Sequence, residues 1–175
     1  LYFSRYNGGN ANTSQFLACF EEASGQKLDA FSREWLYTAG YPQVAVRYTY
    51  DAASRELRLT LNQTRSGKGG VFTLPFSFAA VDAAGHDVPG TAQTIKLETA
   101  EAEIVLAGIP PPAFLSVNRD AGFYGTCSDL SATPEQLIAQ VKRDGNHFNR
   151  VEAMRRLTDL ERQRLLASPI AFPSP

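Results

Sequence analysis

Only two cysteines, Cys19 and Cys127, occur among 175 residues, and they do not form a C-x-x-C pair. A disulfide framework is therefore not expected, and a reducing compartment suits the chain. Histidine is as scarce: His86 and His147 are far apart and neither belongs to an H-E-x-x-H motif, so the usual helical zinc ligands are missing. No apolar run approaches the roughly 20 residues that cross a bilayer, and Leu1 to Arg5 lacks the basic start and apolar core of a signal peptide. Neither sign of charge dominates, with 17 Lys and Arg against 18 Asp and Glu. A broad phosphate-binding surface is accordingly not expected, nor nucleic acid as a partner. Methionine does not open the chain; Leu1-Tyr2-Phe3 enters as if inside an element.

What is present is an ordinary globular composition, 43% hydrophobic and 20% charged, enough for one main core and a smaller satellite. The hydrophobic period divides it into three zones. Residues 1 to about 41 read as helical: Asn12 or Thr13 caps a helix bearing Phe16, Leu17, Cys19 and Phe20, and Gly25 stops it. A second short helix is expected, with Asp29 as its cap, Phe31, Trp35 and Leu36 at helical spacing and Gly40 at its end. Pro42 closes the zone, because the residue before proline is pushed out of helical angles.

From Val44 the period becomes two, with Val44, Val46, Tyr48 and Tyr50 on one face, a turn at Asp51 to Ser54, and Leu57, Leu59 and Leu61 resuming the alternation. Further strand-like runs fall at about 71–81, 92–98, 102–107, 113–118 and 122–127, separated by breaks such as Asp82 to Asp87 and by Pro110 to Pro112 at a corner. Seven or so short strands with regular turns imply a mainly β fold, an antiparallel immunoglobulin-like sandwich flanked by helices at both ends.

After Asp129 the helical period returns. Thr133-Pro134-Glu135-Gln136 combines a capping hydroxyl, proline at the first helical position and a reciprocal amide, ahead of Leu137, Ile138 and Val141. Gly145 ends that helix and Asn146 caps the next, whose expected apolar face is Phe148, Val151, Met154, Leu157 and Leu160, with Arg150, Glu152, Arg155 and Arg156 outward.

No constellation among these residues amounts to an active site. His86 and His147 read as solvent-facing; Cys127 beside either histidine is formally a nucleophile pair, but a free cysteine more often packs as a small hydrophobe. Ser66 to Gly70 lacks the complete phosphate-loop pattern and the helix that should follow it. Glu21 and Glu22 are helix neighbours and diverge, and the arginines between 143 and 164 are interleaved with Asp144, Glu152, Asp159 and Glu161, as on a salt-bridged exposed face.

Leu1-Tyr2-Phe3-Ser4-Arg5-Tyr6-Asn7-Gly8 is similar to a segment near the end of the thermolysin-like catalytic domain in the aminopeptidase N (alanyl aminopeptidase) family of zinc peptidases, and further segments resemble that family in order. Phe31 to Trp35 and Gly40-Tyr41-Pro42-Gln43-Val44-Ala45-Val46 resemble its passage into the next domain. Leu74-Pro75-Phe76 and Pro112 to Ser116 resemble stretches of its sandwich, and Phe148-Asn149-Arg150-Val151-Glu152-Ala153 the opening of its C-terminal helical domain. Val151 stands where the family has tryptophan, Ser4 where it has glutamate, and Ala121 to Gly125 replaces its usual F-S-A-P-V.

The resemblance implies three parts: 1–41 the end of the catalytic domain, 42–130 the Ig-like sandwich, and 131–175 the start of an α-helical repeat domain. It places the zinc ligands, general base and catalytic tyrosine upstream of Leu1, so no catalytic, metal or cofactor residue is assigned here, and zinc belongs to the longer protein. The implied partners are the neighbouring catalytic and helical domains, with peptide substrates bound elsewhere and self-association through uncovered helix faces open to the isolated segment; a cytoplasmic location is expected. The rival reading is an independent β-sandwich module that binds protein or carbohydrate through Tyr48, Tyr50, Phe123 and Tyr124.

Overall fold

The computed structural model describes residues 1–167. The chain divides into two compact units, Leu1–Ala39 and the part from Gly40 onward.

The first unit is helical. After the short α1 (Tyr2–Tyr6), α2 (Thr13–Ser24) begins at a reciprocal capping box, in which the Asn12 side chain accepts from the Gln15 N–H and Gln15 accepts from the Asn12 N–H. Gly25 ends α2 at φ 69°, a left-handed cap that glycine adopts without strain. A single turn, α3 (Asp29–Phe31), runs straight into a π-helical turn at Ser32–Leu36; Leu28 occupies the N-cap position, and Asp29 lies in the first turn instead. Glu21 and Glu22 are engaged and not simply solvated: Arg5 donates two 2.7 Å bonds to Glu22, and the Leu28 N–H donates to Glu21 at 2.7 Å. Cys19 is the buried hydrophobic residue of this unit, while Phe3, Phe16, Phe20, Phe31, Leu36 and Tyr37 remain exposed.

The second unit opens with seven strands: β1 (Pro42–Asp51), β2 (Glu56–Arg65), β3 (Leu74–Val81), β4 (Gln93–Leu97), β5 (Glu101–Leu106), β6 (Phe114–Val117) and β7 (Thr126–Asp129). They form a four-stranded sheet in the order β5-β2-β1-β7 and a three-stranded sheet in the order β4-β3-β6. Val44 pairs with Gln63 and Val46 with Leu61 in the β1–β2 hairpin, which brings Val44, Val46, Leu57, Leu59 and Leu61 into the core. Phe76, Phe78, Leu74, Leu97 and Phe114 complete it from the second sheet. All pairings are antiparallel except β1 with β7, which runs parallel from Gln43–Thr126 to Val46–Asp129. The residues 122–125 expected to begin the last strand instead follow a 3₁₀ turn (Arg119–Ala121), where Asn118, Asp120 and Ala121 have positive φ.

Two helices follow, α4 (Pro134–Arg143) and α5 (His147–Ala167). Thr133 and Gln136 make the expected capping box, and the Asn146 side chain accepts from the Asn149 N–H at 3.1 Å. The buried face of α5 corrects the expected one. Asn149 and Ala153 are buried and Arg156 is half-buried, while Val151 and Met154 are 66% and 55% exposed. The reason is that α5 meets β6 through polar chemistry: the Asn149 amide donates to Ser116 Oγ at 2.8 Å and to the Val117 carbonyl at 3.0 Å. Gly85 permits a close approach at the α4 terminus, since a Cβ there would lie 2.6 Å from the Arg143 carbonyl oxygen. Pro169 to Pro175, the end of the sequence read as part of the helical zone, lie outside the described residues.

Leu61→Ala is expected to cost about 2–5 kcal/mol in urea unfolding, because it opens a cavity in the sandwich core. Val105→Ala, on the exposed face of β5, should stay within about 0.5 kcal/mol. Equal losses would contradict the burial pattern.

Candidate functional site

The polar groups of the second unit converge where β7 hands over to the helices. Asp129, at the end of β7, is buried and accepts from the Ser131 N–H at 2.8 Å and the Ala132 N–H at 3.1 Å, an Asx turn that redirects the chain into the Thr133 cap. Ser131 Oγ accepts from the Tyr48 N–H at 2.9 Å, and the Tyr48 hydroxyl donates to Gln136 at 3.1 Å. Arg156 of α5 donates to the Asp129 main-chain carbonyl and lies 3.9 Å from its carboxylate. Asp129 thus joins β7, the turn and α5, and Tyr48 links β1 to the same turn and to α4.

Beside this junction lies a cleft of about 370 Å³ whose walls include Val117, Asn118, Phe123, Cys127, Asn149 and Glu152. Its electrostatics are shaped by burial. Desolvation, and then the neighbouring Asp129, push the Cys127 thiol up to about 12, so it is protonated at neutral pH and is not a nucleophile. Burial also raises the Asp129 carboxyl above its ordinary value, against the opposing Ser131 and Ala132 N–H groups and Arg156. On the flank, Arg119 grips Asp87 through two bonds of 2.7 and 2.5 Å and holds its carboxyl below the ordinary value.

Neither histidine lines the cleft that holds Cys127. His86 is exposed on the Asp82 turn, 3.8 Å from Asp82, and His147 is exposed at the start of α5. Among the described residues no three His, Cys, Asp or Glu side chains cluster to hold a metal. These residues do not fit a zinc site, so no step through zinc is derived from them. Ser66 to Gly70 connects β2 to β3 with no helix after it.

The four aromatic residues of the alternative binding module do not assemble a platform. Phe123 is buried, Tyr48 is half-buried, and the half-buried Tyr50 donates its hydroxyl to the Ile109 carbonyl at 3.0 Å. Tyr124 alone of the four is exposed, at 79%, and meets Tyr41 edge-on at 6.3 Å. What sequence reasoning missed is Asn149, Asp129 and Arg156 as the groups that join the sandwich to the helices. The available signal was the spacing of Asn149, Ala153 and Arg156, which puts them on one face of α5.

The two shifted aspartates make opposite contributions to the pH dependence of stability. The folded protein binds the Asp129 proton more tightly than the unfolded chain, so ionisation of Asp129 opposes folding at neutral pH; this opposition is relieved as pH falls through the raised value toward 3.8. Asp87 stabilises above 3.8 and loses that contribution as pH falls through its depressed value. Wild type should therefore gain stability relative to Asp129→Asn on acidification from about pH 7 to about pH 4, measured by urea unfolding. Parallel curves for the two proteins would contradict the assigned environment of Asp129.

Comparison with known proteins places this arrangement. Residues 40–129 match the family described as "Domain of unknown function (DUF3458) Ig-like fold". Aminopeptidase N of Caulobacter vibrioides is 33% identical over 176 residues, covering 97% of this chain and 20% of that protein. Aminopeptidase N of Streptomyces lividans is 29% identical over 131 residues, covering 68% of this chain and 15% of its own length. Among solved structures, Legionella pneumophila aminopeptidase A in complex with aspartic acid superposes with a TM-score of 0.79 at 20% identity, over 99% of this chain and 20% of that one. The chain thus spans about one fifth of the length of the Caulobacter relative. From the sandwich match and the homology over nearly its whole length, the chain belongs to the Ig-like DUF3458 family, in a stretch homologous with aminopeptidase N.

Proposed function

We propose that this chain is a non-catalytic, structural segment of a zinc-dependent aminopeptidase that removes N-terminal residues from peptides, and that its work is to hold neighbouring domains of that longer protein in place. The observation that carries this reading is the contrast between a finished sandwich core and unfinished helical parts. The sandwich buries its own phenylalanines and leucines, whereas the first unit leaves Phe3, Phe16, Phe20 and Phe31 exposed and α5 leaves Val151, Met154, Leu165 and Leu166 exposed. Apolar surface of that extent fits burial against further protein. In this reading residues 1–41 end the catalytic domain, 42–130 form the sandwich and 131–175 begin a helical domain. The protein works in the cytoplasm, with zinc and peptide bound by other parts of the chain.

The alternative, a free-standing binding module for protein or carbohydrate, is disfavoured by the engagement of Tyr48, Tyr50 and Phe123 within the fold, which leaves Tyr124 without companions from that set.

Two measurements test the proposal. The purified chain, given a chromogenic alanyl substrate with and without zinc, should show no turnover and no stoichiometric metal; zinc-dependent turnover would sink the non-catalytic reading. Met154→Glu should change the stability of this chain alone by no more than about 0.5 kcal/mol, since the side chain is exposed, yet destabilise the longer aminopeptidase by roughly 1.5–3 kcal/mol. An equal, small effect in both would mean that α5 covers nothing.

A further inference from the structure

The cleft between α5 and the β6–β7 side of the sandwich contains polar groups whose bonding capacity is unused. Asn118 is 7% exposed and its carboxamide oxygen has no hydrogen-bond partner among the described residues. Asn149, 4% exposed, uses its amide nitrogen on Ser116 and Val117, and its side-chain oxygen accepts no hydrogen bond from the described residues. Arg156 gives one N–H to the Asp129 carbonyl and holds the carboxylate at 3.9 Å, which leaves further N–H groups of its planar guanidinium without a partner among the described residues. By contrast, Glu152 and Arg155 neutralise each other at 2.9 Å.

A buried amide oxygen without a donor is unfavourable, and native proteins rarely leave one so. Here one such oxygen, that of Asn118, the accessible amide oxygen of Asn149 and a cation with spare donors line one cleft, alongside the apolar Leu115, Phe123 and Ala153. At about 370 Å³ the cleft is the size of a small-molecule site. Two carboxylates, Asp129 and Glu152, balance two guanidiniums, Arg155 and Arg156, so the site carries no net formal charge.

We propose that this cleft binds a small carboxylate with an adjacent N–H, of the amino-acid or peptide C-terminus class. The carboxylate is taken by Arg156, whose planar fork suits it. The N–H is taken by the amide oxygens of Asn118 and Asn149, and a hydrocarbon side chain by Phe123 and Leu115. Binding is reversible, because the protonated Cys127 thiol offers no nucleophile. The inference stands on the cleft's own groups and does not require the aminopeptidase reading.

The test is an NMR titration of the 175-residue chain with four probes of similar size: L-leucine, N-acetyl-L-leucine, L-leucinamide and isocaproate. Leucine or N-acetylleucine is expected to bind with a Kd on the order of 1 mM, shifting the side-chain amides of Asn118 and Asn149 and the Ala153 methyl. Leucinamide, which lacks the carboxylate, and isocaproate, which lacks the N–H, should each bind at least about fivefold more weakly. Tighter binding of leucine identifies a free amino acid as the ligand class; tighter binding of N-acetylleucine identifies a peptide C-terminus. Asn118→Gly suits the left-handed backbone there (φ 49°) while removing the amide, and Arg156→Lys keeps the charge beside Asp129 while removing the fork. Each should weaken binding by roughly fivefold in protein whose thermal melt shows it folded, and Arg156→Lys carries the test if Asn118→Gly does not fold. Absence of saturable shifts at about 10 mM, equal binding of all four probes, or indifference to the substitutions would overturn the proposal. So would a high-resolution crystal structure, grown with leucine, that shows only an ordered water on the Asn118 oxygen.

Discussion

The architecture from Gly40 onward depends on how one buried carboxylate is satisfied at the end of β7. A strand that leaves a sheet exposes main-chain donors, and a helix that starts nearby exposes more; burying both without partners would be costly. Asp129 resolves the first need through Ser131 and Ala132, and the Thr133–Gln136 box resolves the second within the next turn. Because β7 pairs in parallel with β1, the same step sets the turn beside Tyr48, whose N–H finds Ser131. Arg156 then ties α5 to the Asp129 carbonyl. α5 is thereby tied to the sandwich by a directional network, while α4 buries the apolar Leu137.

That choice has consequences for α5. A helix docked through Asn149, Ala153 and Arg156 does not use Val151 or Met154 to dock, and those residues face outward. Its charged side chains pair along the helix, Arg155 with Glu152 and Asp159, Arg164 with Glu161, contacts of small energetic weight in water. The small side chain of Ala153 and the polar bridge of Asn149 also leave room beside β6 and β7, and the cleft is the product of that spacing. Packing geometry and unused polar capacity thus have one origin, a helix held at polar contacts.

Much of the chemistry was legible in the sequence because it is local. A cap at Asn12 or Thr13, the capping box at Thr133, the stop at Gly25 and the alternation of Val44, Val46, Leu57, Leu59 and Leu61 depend on neighbours within a few positions or on a two-residue period, and the structure has Asn12 as the cap and each of the others in place. The seven strands and the resemblance to aminopeptidase N were likewise readable, since ordered short matches survive changes such as Val151 for tryptophan. The last strand was misplaced by a few residues, because Asn118, Asp120 and Ala121 take positive φ in a turn that neither Asp120 nor Ala121 announces.

By itself the sequence determined the class of each element and the sandwich core, because periodicity and capping act between residues close along the chain. Only the tertiary structure decided that β7 runs parallel to β1, that α5 turns Asn149 inward and Val151 outward, and that Asn118, Asn149 and Arg156 share one cleft. Those outcomes join residues separated by tens of positions. Which polar groups find each other over such distances depends on the register of the sheets and on the desolvation of Asp129, and neither leaves a periodic mark in the sequence.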